Sequence, residues 1–194
     1  MTKKRKMMKT DPIQKYILKN RDNLRIAAMT SESWLAARKG IVQAFQERLK
    51  TRLSKKLKGW EFGAYDGVFF ETGYAGYYFW KPTWAEQYSL VLQMYASGDQ
   101  AIFGVLRDKE YIKSRPFSDK LFNAVSSIHP SVERNSWWEA RVKMHTPAAN
   151  WREPKMLWAM HKDKQFLEEV AEQLLEVAEV STPIIDELVR KYKK

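Results

Sequence analysis

The sequence predicts an α+β fold, an antiparallel sheet of about five strands with N-terminal and C-terminal helices packed on it. Three observations carry that prediction. First, the 36 positions from Trp60 to Tyr95 hold 13 of the 26 aromatic residues in a chain of 194, and aromatic side chains favour the pleated, half-buried surface of a sheet. Second, Tyr88-Ser-Leu-Val-Leu-Gln-Met-Tyr95 alternates with the period of a strand, Tyr88, Leu90, Leu92 and Met94 on one face and Ser89, Val91, Gln93 and Tyr95 on the other. Third, the segments on either side of this region place their apolar residues at helical spacing.

Residues 1–10 read as a disordered basic arm and residues 11–194 as a single domain. Asp11-Pro12 opens a helix, since Asp is a good N-cap and Pro suits the first turn; it is expected to run to about Ala28. A second helix is expected from Thr30 or Ser31 to about Lys58, with Trp34, Ile41, Val42, Phe45, Leu49, Leu53 and Leu57 as its apolar stripe. After Gly59, Trp60, Phe62, Val68 and Phe70 alternate as a strand interrupted by Gly63 and Gly67. Gly73 and Gly76 frame a turn into a strand Tyr77–Lys81, which Pro82 closes. Tyr88–Tyr95 and Ala101–Arg107 are separated by Ser97-Gly98-Asp99-Gln100, which signals an antiparallel hairpin. Lys109–Pro116 reads as a loop, Ser118 as the cap of a short helix through Leu121, Phe122, Val125 and Ile128, and His129-Pro130 as its stop. Trp137–Met144 is the fifth strand, with Trp138, Ala140, Val142 and Met144 on one face. Pro147 and Pro154 mark a link around Trp151. A helix from about Lys164 to Val180 follows, broken at Ser181-Thr182-Pro183 before a final turn or two.

Charge is the strongest pointer to function. Residues 1–58 hold 17 Lys and Arg against four acids, whereas residues 59–194 hold 17 against 19. A localised basic segment is the electrostatic footprint of a polyanion-binding surface, most often nucleic acid. The candidate phosphate contacts are Lys3, Lys4, Arg5 and Lys6 of the arm and Arg38, Lys39, Arg48, Lys50, Arg52, Lys55 and Lys58 of the second helix. The bland alternative is a solvated helix face with a solubilising tail. A further alternative is an internal partner, because the helix Lys164–Val180 gathers Glu168, Glu169, Glu172, Glu176 and Glu179 on one arc. Tyr74, Tyr77, Trp80 and Trp84, beside Lys81, are candidates for stacking on bases, against the competing reading that an aromatic sheet covered by helices is core.

Catalytic signatures are sparse. His129, His145 and His161 lie far apart, without a second ligand at a zinc spacing, and the chain has no cysteine, no phosphate-cradling glycine loop and no nucleophile elbow. A metal-dependent nuclease needs clustered carboxylates and a lysine near the attacking water; Asp66 with Glu71, and Glu153-Pro-Lys155, are the nearest patterns and neither fits. No catalytic residue, metal or cofactor is therefore expected. No apolar run reaches the ~20 residues of a spanning helix and no signal-peptide core follows the basic start, so a cytoplasmic protein without membrane contact is expected.

The succession Gly59-Trp60-Glu61, Tyr88–Gln93, Ile102-Phe-Gly-Val105, Ser136-Trp-Trp138 and Asn150-Trp151 with a long closing helix resembles the C-terminal accessory region of a group of PD-(D/E)XK-type nucleases from bacterial and phage defence systems. In that group the acidic metal-binding core lies upstream. The resemblance implies a free-standing accessory module of a phage or other mobile element. The expected function is non-catalytic binding of nucleic acid. The alternatives are a protein that binds and inhibits or assists a bacterial defence or nuclease complex, and, third, a degenerate nuclease.

Overall fold

The computed structural model describes residues 11–64, 76–84, 87–95, 100–107, 115–144, 150–151 and 153–192. The chain falls into two compact units, Met1–Gly40 and Ile41–Lys194. The expected arm at residues 1–10 lies outside the described residues.

In the first unit, helix α1 (Pro12–Ile17) begins as the sequence predicts: the Asp11 carboxylate accepts the Ile13 N–H at 2.8 Å, with Pro12 in the first turn. It ends a decade of residues sooner than expected, and helix α2 runs unbroken as Arg21–Ser54. The break falls at Leu18–Asn20 because Asn20 Oδ1 accepts the Asn23 N–H at 2.8 Å, while Asn23 Nδ2 donates to the Tyr16 carbonyl at 2.7 Å. That local exchange satisfies the groups left open at both helix ends. Thr30 and Ser31, expected to start a helix, lie inside one.

The second unit is the α+β domain. Its part of α2 buries Val42, Phe45, Leu49 and Leu53, and Gly59, at φ +76°, turns the chain out of the helix region in a conformation that favours glycine. The strands are β1 (Glu61–Ala64), β2 (Gly76–Trp80), β3 (Tyr88–Met94), β4 (Ala101–Arg107), β5 (Val132–Glu133) and β6 (Trp138–Lys143). They form one antiparallel sheet in the order β1-β2-β3-β4-β6-β5. The sixth strand is the two-residue β5, too short to show a period. The expected continuation of the first strand through Val68 and Phe70, and the hairpin tip Ser97–Asp99, lie outside the described residues, as do Asp66, Glu71 and His145.

One face of the sheet carries Tyr77, Phe79, Leu90, Leu92, Phe103, Val105, Ala140 and Val142 into the main core, where they join side chains of α2, α3 (Arg115–Ser126), α4 (Pro154–Lys162) and α5 (Lys164–Tyr192). Phe45 of α2 anchors it, edge-on to Trp151 at 5.6 Å and tilted on Phe166 at 5.5 Å. Val91, Ile102 and Trp138, with Tyr78 and Leu106 packed against them, form a separate cluster.

Four expectations are corrected. Trp138 does not share a face with Ala140 and Val142. The β4–β6 register slips between Val105, paired with Ala140, and Leu106, paired with Trp138, so the extra residue Glu139 swings inward and Trp138 faces the other way. Ser118 is not a helix cap: α3 begins at Arg115, and the Ser118 hydroxyl donates to Glu139. The expected link around Trp151 contains helix α4, with Pro154 at its first turn and Met156, Leu157 and Met160 buried. Finally, α5 passes through Pro183 without ending. Ser181 Oγ donates to the Val177 carbonyl at 2.6 Å and Thr182 Oγ1 to that of Ala178, and Ile184, Ile185, Leu188 and Val189 are buried beyond it. Burial of four such side chains outweighs the ~3 kcal/mol that an interior proline costs.

Candidate functional site

The cations expected to contact phosphates divide into two groups in the second unit. Arg48 and Arg52 point into the domain. Arg48 donates to the Met160 carbonyl of α4 and lies over the Phe45 ring, and Arg52 pairs with Glu168 of α5 at 2.6 Å. These two side chains fasten α2 to α4 and α5, and among the described residues Arg52 alone realises the internal-partner alternative. Lys50, Lys55 and Lys58, with Lys56, are exposed, and among the described residues none of the four pairs with a carboxylate. Many cations elsewhere in the domain are paired: Lys81 with Asp186, Arg107 with Glu139, Lys120 with Glu187, Arg134 with Asp119, and Arg141 and Lys143 with Glu133; Lys162 and Lys164 are exposed and pair with no carboxylate among the described residues. The Glu133 carboxyl is held below the usual carboxylate range by hydrogen bonds from Arg141 and then Lys143. Among the described residues, the four exposed lysines Lys50, Lys55, Lys56 and Lys58, without a carboxylate partner, thus lie close together at the C-terminal end of α2 and the turn after it. On α5, Glu172, Glu176 and Glu179 remain exposed, with His129 4.0 Å from Glu176.

In the first unit Lys39 and Arg38 are half-buried, and Lys3, Lys4, Arg5 and Lys6 lie outside the described residues. None of residues 11–40 is buried, and large apolar side chains stand in solvent: Ile13, Tyr16, Leu18, Leu24, Ile26, Met29 and Trp34. No charge count reveals this, because the same segment is also basic.

The aromatic candidates are mostly core. Tyr77 is buried, and that burial, with the Glu47 charge nearby, holds its hydroxyl far above the usual tyrosine range. Trp84 is fully buried, edge-on to Trp60 at 4.9 Å, with its Nε1–H donated to Asp186 at 2.8 Å. Neither ring is presented to a base. Trp80 is half-buried and stacked on Tyr78 at 5.2 Å; Tyr74 lies outside the described residues. Among the described aromatic side chains of the second unit, Tyr95, Trp137 and Trp158 face solvent, and Trp158 on α4 is the most exposed at 65%, 6.1 Å from the His161 ring. The signal was available: Met156, Leu157 and Met160 fix the inner face of α4, and Trp158 is opposite to it.

Among the described residues, no group of three His, Asp or Glu side chains comes together to hold a metal ion. Glu153 pairs with Lys155 at 2.9 Å. Across the domain, an open groove of about 530 Å³ runs along α5 between Leu57, Trp60, Leu175 and Pro183, with Lys56 and Glu179 on its rim. Its mixed lining concentrates no one chemistry. No helix among the described residues is long and apolar enough to cross a membrane.

The chain matches no known family model, no curated protein and no solved structure. The fold and the surface chemistry are thus the whole basis for a functional reading.

Proposed function

We propose that the chain is a non-catalytic binding module whose ligand is nucleic acid, held by its phosphates. The observation that carries this reading is the selective exposure of the cations at the end of α2 and in the turn after it. Arg48 and Arg52 are spent on internal contacts, whereas Lys50, Lys55 and Lys58 are left in solvent, without a carboxylate partner among the described residues. Unpaired lysines so close along one segment repel one another and are relieved by a polyanion, which releases its counterions when they bind. Fluorescence anisotropy of labelled oligonucleotides, repeated across a salt series, tests it. Affinity should fall steeply and linearly on log–log axes, with unrelated sequences bound about equally; affinity insensitive to salt would contradict it.

A second reading is favoured by a different observation, the apolar side chains left exposed on residues 11–40. Exposed apolar area of that kind marks a protein-binding segment, in keeping with an inhibitor or accessory subunit of a defence or nuclease complex. A partner gripped by Leu24 and Trp34 would be released by Leu24→Asp with Trp34→Ala and would respond little to salt. A partner whose affinity ignored both substitutions would argue against it.

A further inference from the structure

On α4, Lys155, Trp158, His161 and Lys162 stand at spacings of three, six and seven residues, so they share the solvent face of that helix while Met156, Leu157 and Met160 occupy the other. Trp158 sits at the middle of this face with 65% of its surface in solvent. A solvent-facing helix position places no demand on packing, and any helix-forming polar residue would serve the fold there. The two carboxylates nearby are already engaged: Glu153 pairs with Lys155, and the Asp163 side chain accepts the Gln165 and Phe166 N–H groups at the start of α5. Lys162 pairs with no carboxylate among the described residues. The helix is tied to the basic one through Arg48, which donates to the Met160 carbonyl two residues beyond Trp158.

We infer that the α4 face is a base-stacking platform, with Trp158 receiving an unstacked base and Lys162 and His161 beside the neighbouring phosphates, so that the nucleic acid bound is single-stranded. This rests on the phosphate-binding reading and narrows it. An indole face stacks on any base, which gives affinity without sequence preference, whereas a duplex keeps its bases paired and offers the ring nothing but its edge.

Labelled dT20, the matching oligouridine and a 20-bp duplex, each titrated into the full chain at fixed salt, separate the outcomes. Trp158→Ala should weaken binding of both single strands about tenfold, the loss of one stacked base. It should leave duplex binding and the slope of log affinity against log salt unchanged, since no charge is removed, and Trp158→Phe should retain most of the affinity. If single strands and duplex bind alike and Trp158→Ala is silent, the platform is wrong while the phosphate reading stands. If no oligonucleotide binds at low salt, both fall.

Discussion

Glu139 is the residue whose position departs most from what its neighbours in the sequence suggest. Strand alternation sends it outward with Arg141 and Lys143, yet it is buried, because the β4–β6 slip adds one residue to its strand and turns its carboxylate toward Arg107 and Ser118. A bulge has no signature in a period-two pattern, so neither the inward turn nor the buried ion pair was legible. Breaking such a pair leaves an uncompensated charge. Glu139→Ala should cost about 3 kcal/mol in urea unfolding, and Arg107→Met with Glu139→Leu should recover most of it; equal losses would mean that the pair does not act as a unit. Beside it, Gly104 at φ +147° places its Cα where an added Cβ would lie 2.1 Å from the Ala140 carbonyl oxygen. Gly104→Ala should therefore lower the melting temperature sharply. Leu92, by contrast, was legible from alternation alone and is fully buried; Leu92→Asp should unfold the domain. Gln93 lies on the other face, as alternation predicts, but it too is buried, so that face is more enclosed than alternation suggests. Glu133 sets a pH dependence. Its carboxyl titrates lower in the folded chain than in the unfolded one, so its contribution is present above the unfolded pKa and is lost as pH falls through the folded one. Stability should decline on acidification, and less steeply in Glu133→Gln.

At the scale of elements, legibility followed how local the determining chemistry is. The Asp11-Pro12 start, the β3–β4 pair and the stripe Val42, Phe45, Leu49, Leu53 were readable because cap, turn and period are all written within a few residues. Pro154 and Pro183 misled for opposite reasons. The first opens a helix where the prolines predict a link, and the second sits inside a helix that core packing carries past it. Pro183 is exposed and denies the Glu179 carbonyl its N–H partner. Pro183→Ala should thus raise stability by roughly 1–3 kcal/mol, measured by chemical denaturation. A loss instead would show that the core of α5 requires the proline's geometry.

For the whole molecule, the charge asymmetry between residues 1–58 and the rest was legible from composition, but which cations face solvent was not, because Arg48 and Arg52 find their partners more than a hundred positions away. The burial of Tyr77 and Trp84 was hidden for a related reason: rings dense enough to build a sheet are largely consumed by it, and the most exposed ring of the second unit among the described residues, Trp158, belongs to a helix. With magnesium or manganese added, the purified chain should leave DNA and RNA intact on a gel; cleavage abolished by Asp66→Ala or Glu71→Ala would restore the nuclease reading. The most direct test of the account compares two variants of α2 and the turn after it. Lys50→Gln with Lys55→Gln and Lys58→Gln should keep the melting temperature, weaken nucleic-acid binding and flatten the salt slope by about two to three units. Arg52→Gln should do the reverse, losing up to about 1 kcal/mol of stability with Glu168 while leaving the affinity unchanged. Triple-variant affinity equal to that of the unmodified chain at ~0.05 M salt would contradict the phosphate-binding surface outright.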